Sequence, residues 1–129
     1  MDLVVPLKLF VATTVASTGS VTSGVIDTRL FARLESLLMT MTSTASAHDV
    51  KVVMQGSDSP TGTFTDAVDG YGGAIVDSTA TTFPNSAADT IALSLPPVLA
   101  PYIRFVVTGV GANPADTALT ATLYGREDI

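Results

Sequence analysis

The sequence predicts an all-β fold, a compact antiparallel β-sandwich or jelly-roll-like barrel with an N-terminal arm or edge strand. Three observations predict it. Short segments of alternating apolar and polar residues recur along the chain, Gly, Pro, Asp and Asn clusters punctuate them, and cysteine is absent, so packing alone must hold the fold. A chain of 129 residues fits one domain, 1–129, with 1–16 as the arm or edge.

The first segment, LVVPLKLFVATTV, alternates Leu7, Leu9 and Val11 against Lys8, Phe10 and Ala12. Pro6 cannot donate to a ladder, which places this segment at a sheet edge or in an arm. STGSVTSG, Ser17 to Gly24, reads as a loop. The stretch from Asp27 to Ala45 is ambiguous. Leu30, Phe31, Leu34, Leu37, Leu38 and Met41 would line one face of a helix, and this periodicity favours helix over Thr28 to Glu35. Strand alternation can also be drawn, with Leu34, Ser36, Leu38 and Thr40 opposing Glu35, Leu37, Met39 and Met41.

Further on the alternation is cleaner. Val50, Val52 and Met54 oppose Lys51, Val53 and Gln55, and Ile91, Leu93 and Leu95 oppose Thr90, Ala92 and Ser94. Pro96 and Pro97 end the second of these. Ile103, Phe105 and Val107 alternate with Tyr102, Arg104, Val106 and Thr108, and Leu119, Ala121 and Leu123 point inward from the last strand. The GVGANPADT turn between the last two strands predicts that they form a hairpin.

Composition narrows the function. Charged residues are 14% of the chain, against ~25% in an ordinary globular domain. Thr, Ser, Ala and Gly stand in their place. Surfaces depleted in Lys and Glu resemble the cores of protein interfaces, so the sequence points to an assembly. Net charge is −6 and the six cations, Lys8, Arg29, Arg33, Lys51, Arg104 and Arg126, are scattered. That distribution gives no footprint for nucleic acid. No run reaches the roughly 18 apolar residues of a membrane helix, and Asp2 and Pro6 argue against a signal peptide at the N-terminus. No nucleic-acid or membrane partner is expected.

Candidate reactive sites explain themselves without ligands. Met54 to Gly73 gathers Ser57, Asp58, Asp66 and Asp69, but the Asp spacing and terminal Glu of an EF-hand are missing, so a hairpin tip is expected rather than a calcium loop. His48, the one histidine, has no Gly-x-Ser-x-Gly elbow or cysteine to serve. Gly72-Gly73 and Gly109-Val110-Gly111 lack a phosphate-loop lysine. No cofactor, metal or catalytic residue is expected, and the protein is read as a non-enzyme.

The string VMQGSDSPTGTFTD, with VIDTRLFARLESLLM upstream and PYIRFVVTGVG and TATLYG downstream, resembles a group of small structural proteins encoded beside the capsid genes of tailed bacteriophages. The resemblance covers about Val25 to Gly125. It implies that Leu34 to Thr44 is a strand, against the helical periodicity. It also implies a virion protein assembled in the host cytoplasm, a capsid cement or decoration protein that binds the major capsid protein and itself as a dimer or trimer. Head-completion or tail subunits are the alternative within that class. A carbohydrate- or calcium-dependent module is the alternative outside it, disfavoured by the absence of tryptophan and only 6% aromatic residues.

The expected interface is the N-terminal segment, Val4, Val5, Leu7, Leu9, Phe10 and Val11, which offers unpaired backbone and an apolar face. The plainer reading makes it an ordinary first strand. Removing Met1 to Ala12 is expected to abolish docking and leave a folded domain. Arg104, alone on an apolar strand, is either an outward charge satisfied within its sheet or an intersubunit contact.

Overall fold

A computed structural model describes residues 2–16, 19–42, 48–67, 81–83, 89–95, 100–110 and 118–128. They form strands β1 (Asp2–Thr14), β2 (Ser20–Thr22), β3 (Ile26–Asp27), β4 (Arg33–Thr42), β5 (His48–Ser57), β6 (Thr65–Asp66), β7 (Thr81–Phe83), β8 (Asp89–Ser94), β9 (Tyr102–Val110) and β10 (Ala118–Asp128), with one 3-10 turn at Thr28–Leu30. Among these residues no helix is long and apolar enough to cross a membrane.

All pairings are antiparallel. One sheet runs β1-β10-β4-β8; the other runs β2-β9-β5-β6, with β3 beside β9 and β7 beside β5. β2 and β3 share one edge of β9, and β6 and β7 share one edge of β5, so each couple is one interrupted strand. Counted that way, eight strands form two four-stranded sheets in jelly-roll order, each strand crossing to the other sheet from the one before it except the β6/β7 couple, which stays beside β5. The predicted all-β sandwich is what forms.

The core lies between the sheets. Leu37, Met39, Met41, Leu119, Ala121 and Leu123 meet Val50, Val52, Met54, Ile103, Phe105 and Val107, and all are buried. These are the inward positions the alternation predicts on β5, β9 and β10. Leu93 and Leu95 pack against the same core.

Four expectations are corrected. β9 and β10 do not form a hairpin: β9 pairs with β5, β2 and β3, while β10 pairs with β1 and β4 in the other sheet. Alternation reveals which face a residue takes, not which strand lies beside it. Thr28 to Glu35 is not a helix, since a single 3-10 turn is followed by β4. The helical spacing has a local cause: the register of β10 on β4 shifts between Tyr124↔Ser36 and Gly125↔Leu34. That bulge inserts Glu35, so the inward residues Leu34 and Leu37 fall three apart and mimic a helix face. The strand reading drawn from the resemblance holds over Leu34 to Thr42; 43–44 lie outside the described residues.

Ser20–Thr22 is a strand, not loop, with Val21 opposite Val107. Its polar sequence conceals a ladder that side chains complete. Ser23 is buried; its N–H donates to Phe105 O (2.9 Å), and its Oγ accepts from Phe105 N–H (2.9 Å) and donates to Gly24 O (3.0 Å). The hydroxyl does the work of a strand carbonyl where β2 hands over to β3.

Finally, the first segment does not keep Leu7, Leu9 and Val11 on one face. Register shifts between Lys8 and Phe10 and between Phe10 and Thr13 make two bulges, so Phe10 turns into the core at 6% exposure and Val11 turns out at 65%. Ala12 in the second bulge takes φ 46°, a left-handed conformation uncommon for a residue with a Cβ, and its N–H bonds Thr120 Oγ1 (3.1 Å).

Candidate partner interface

β1 ends its sheet, paired on one side with β10 from Asp2 to Thr14. Its other side has no strand among the described residues. Pro6 sits at such an edge because a strand with one free side can spare a donor. Val4 (47%), Leu7 (37%) and Val11 are exposed, while Val5 and Leu9 lie half-buried against the core. Of the predicted interface residues, these five line the edge and Phe10 anchors the strand from within. With Phe10 in the core, β1 is part of the sandwich rather than a detachable arm, so truncating it would damage the fold.

The 3-10 turn brings a neighbour the sequence did not single out. Asp27 caps it, accepting from Arg29 N (3.0 Å), and Thr28 is buried with its Oγ1 near Ala100 O (2.6 Å) and Pro101 O (2.9 Å). Held this way, the turn directs Phe31 inward and Leu30 outward, where Leu30 is 65% exposed. The Phe31 ring packs against Gly125 of β10, where a Cβ would come within 2.5 Å of it. Between β1 and the turn runs a cleft of about 240 Å³ lined by Val5, Pro6, Leu7, Leu30, Phe31 and Glu127. Two adjacent apolar residues after a capping Asp are the only sequence trace of it.

The arginines near this end are paired. Arg33 donates to Glu35 (2.9 Å), and Arg126 bonds the same carboxylate oxygen. The bond from Arg126, together with that from Arg33, holds the Glu35 carboxyl below the usual range. Arg29 forks onto Asp27 (2.7 and 2.9 Å) and reaches the Tyr102 hydroxyl (3.0 Å). Its side-chain bond, then its backbone N–H, lowers the Asp27 pKa, and the Arg29 pKa rises in return.

Arg104 is engaged within its own sheet. Its Nε donates to Gln55 Oε1 (2.7 Å), Gln55 donates to Asp66 (2.9 Å), and its guanidinium stacks 4.4 Å from the centre of the Phe64 ring. The hairpin tip is likewise self-sufficient. Ser57 Oγ accepts from Ser59 N–H (3.2 Å), Gly62 N–H donates to Ser59 O (3.3 Å), and Ala67 N–H donates to Met54 O (2.8 Å). Among the described residues no group of three or more His, Asp and Glu is placed to hold a metal. Asp69, Gly72-Gly73, Pro96, Pro97 and residues 111–117 lie outside the described residues. His48 opens β5 opposite Phe83.

No family model matches this sequence, and no curated protein matches it. Among solved structures the chain resembles the PBSX exported protein XepA (TM-score 0.54, 13% identity, 97% of this chain and 38% of that one). It also resembles the Tobacco streak virus coat protein dimer (TM-score 0.49, 13% identity, 98% and 84%) and the SPBc2 prophage-derived protein YomS (TM-score 0.44, 9% identity, 97% and 96%). The chain spans little more than a third of XepA. At these identities the likeness is one of fold, and the XepA alignment carries it.

Proposed function

We propose that this protein is a non-enzymatic structural component of a virion, a cement that docks on the major capsid protein and strengthens the shell by adding buried area across its joints. The observation that carries the reading is β1, a 13-residue edge strand with Val4, Leu7 and Val11 exposed along it. A long apolar edge is a hazard for a protein that stays alone and a docking rail for one that is covered. The low charge and the resemblance of VMQGSDSPTGTFTD and its flanking strings to phage structural proteins support the same reading. So does the outer face of the β1 sheet, a row of small hydroxyls in which Thr40 meets Thr90 (2.9 Å).

In this reading residues 1–129 act as one unit, present as a dimer or trimer, with Val4, Val5, Leu7, Leu9 and Val11 against the partner and Phe10 fixing the strand. A head-completion or tail subunit would use the same edge. The test mixes purified protein with undecorated tailed-phage heads and reads copy number and position by electron cryomicroscopy. Wild type should coat the shells at stoichiometric copy number. A Val4→Asp/Val11→Asp variant, changed only at exposed positions, should lose at least tenfold in affinity. Wild type that ignores the shells, or a variant that coats them equally, overturns the proposal.

A further inference from the structure

We infer that the free edge of β1 and the cleft beside it form one seat for an extended segment of the partner chain, a segment that alternates apolar residues and carries a carboxylate on its outward face. This rests on β1 being the docking edge and names what docks there.

A strand laid along β1 would gain backbone bonds to groups that no described residue uses between Val4 and Lys8. Its side chains would then alternate between the two faces of the sheet. On the inner face they would enter the gap between sheets, which at this edge is the cleft. Its roughly 240 Å³ falls below the ~300–1,000 Å³ of small-molecule sites and suits one or two aliphatic side chains. Leu30, left at the rim with most of its surface in water, would be covered by that occupant.

Charge fixes the other face. Lys8 is exposed, opposite Thr122 on the outer side of the sheet, and makes no ion pair among the described residues of a chain with net charge −6. A carboxylate on the outward face of the incoming strand complements it. Glu127, in the cleft lining, keeps that acid off the inner face. A second copy of β1 fits poorly, because residues 3–14 contain no acid to meet Lys8. Self-pairing would also place two Pro6 residues and two sets of bulges in one ladder.

The probe is a blocked nine-residue peptide alternating valine with threonine and carrying one central glutamate, titrated into the full-length protein and followed by amide chemical shifts and hydrogen exchange. Slowed exchange and shifts confined to β1 and the 3-10 turn are expected. Affinity should fall at least tenfold for Leu30→Asp, whose unfolding midpoint should match wild type. Lys8→Glu should weaken the glutamate peptide and bind a lysine-for-glutamate version better, a charge swap that generic stickiness would not produce. Absence of β1 shifts at millimolar peptide, or equal binding by Leu30→Asp and no charge swap, overturns the inference. Peptide binding without shell binding supports the seat and sinks the capsid reading. Shells coated normally by Leu30→Asp sink the seat and leave the capsid reading standing.

Discussion

Replacing Ser23→Ala removes one oxygen from the junction of β2 and β3 and should cost more than removing the exposed hydroxyl of Ser20 from β2. The backbone bond from Ser23 N–H to Phe105 O survives, but the Phe105 N–H, on a residue with no exposed surface, loses the acceptor 2.9 Å away. A buried donor left without a partner costs about 1–3 kcal/mol. A domain of this size would then melt roughly 4–15 °C lower. Ser20, exposed and bonded through Oγ to Thr108 Oγ1 (2.8 Å), supplies the control. Ser20→Ala should change stability by less than about 0.5 kcal/mol. Urea denaturation of both variants, with the slope unchanged from wild type, gives the difference. Hydrogen exchange at Phe105 should quicken in Ser23→Ala alone. If the two variants unfold within about 0.5 kcal/mol of each other, or the Phe105 amide stays as protected as before, the hydroxyl is not standing in for a strand carbonyl.

Two other outcomes follow from the packing and the ion pairs. Gly125→Ala should destabilise by about 1–3 kcal/mol through overpacking against Phe31; in a double-mutant cycle with Phe31→Leu, part of that cost should vanish because the clash does. Glu35 and Asp27 have carboxyls lowered by arginine partners. Their contribution is therefore complete above the unfolded carboxylate range of about 4 and is lost as the pH falls through the lower folded values. Acid titration of stability should show this decline, and Glu35→Gln should flatten it; an unchanged acid limb would assign the decline to other groups.

What the sequence disclosed depended on whether a strand ran unbroken. Val50, Val52 and Met54, then Ile103, Phe105 and Val107, then Leu119, Ala121 and Leu123, alternate with no inserted residue, and each proves buried. Where a bulge adds a residue the period fails. Leu34 and Leu37 looked helical because Glu35 is extra, and Val11 leaves the face it seemed to share with Leu7 and Leu9 because one shift precedes it and a second spans it. Pairing was hidden for a different reason: apart from β5 and β6, which do pair, consecutive strands of this jelly roll pass to opposite sheets, so neighbours in sequence such as β9 and β10 do not meet in one ladder. The free edge of β1 could be read from Pro6 and its apolar flanks. The cleft could not, because the exposure of Leu30 depends on a turn whose lock, Thr28 to the Ala100 and Pro101 carbonyls, joins residues far apart in the chain.

The antiparallel register of β1 on β10 sets Asp2 opposite Asp128. Both ends of this pair of strands therefore exit at the same corner, and tension drawn through them would peel the pair apart rung by rung, like a zipper. Traction spread sideways along the length of β1 would instead load every rung at once. A protein of this design resists being dragged by its flank far better than being pulled by its tails.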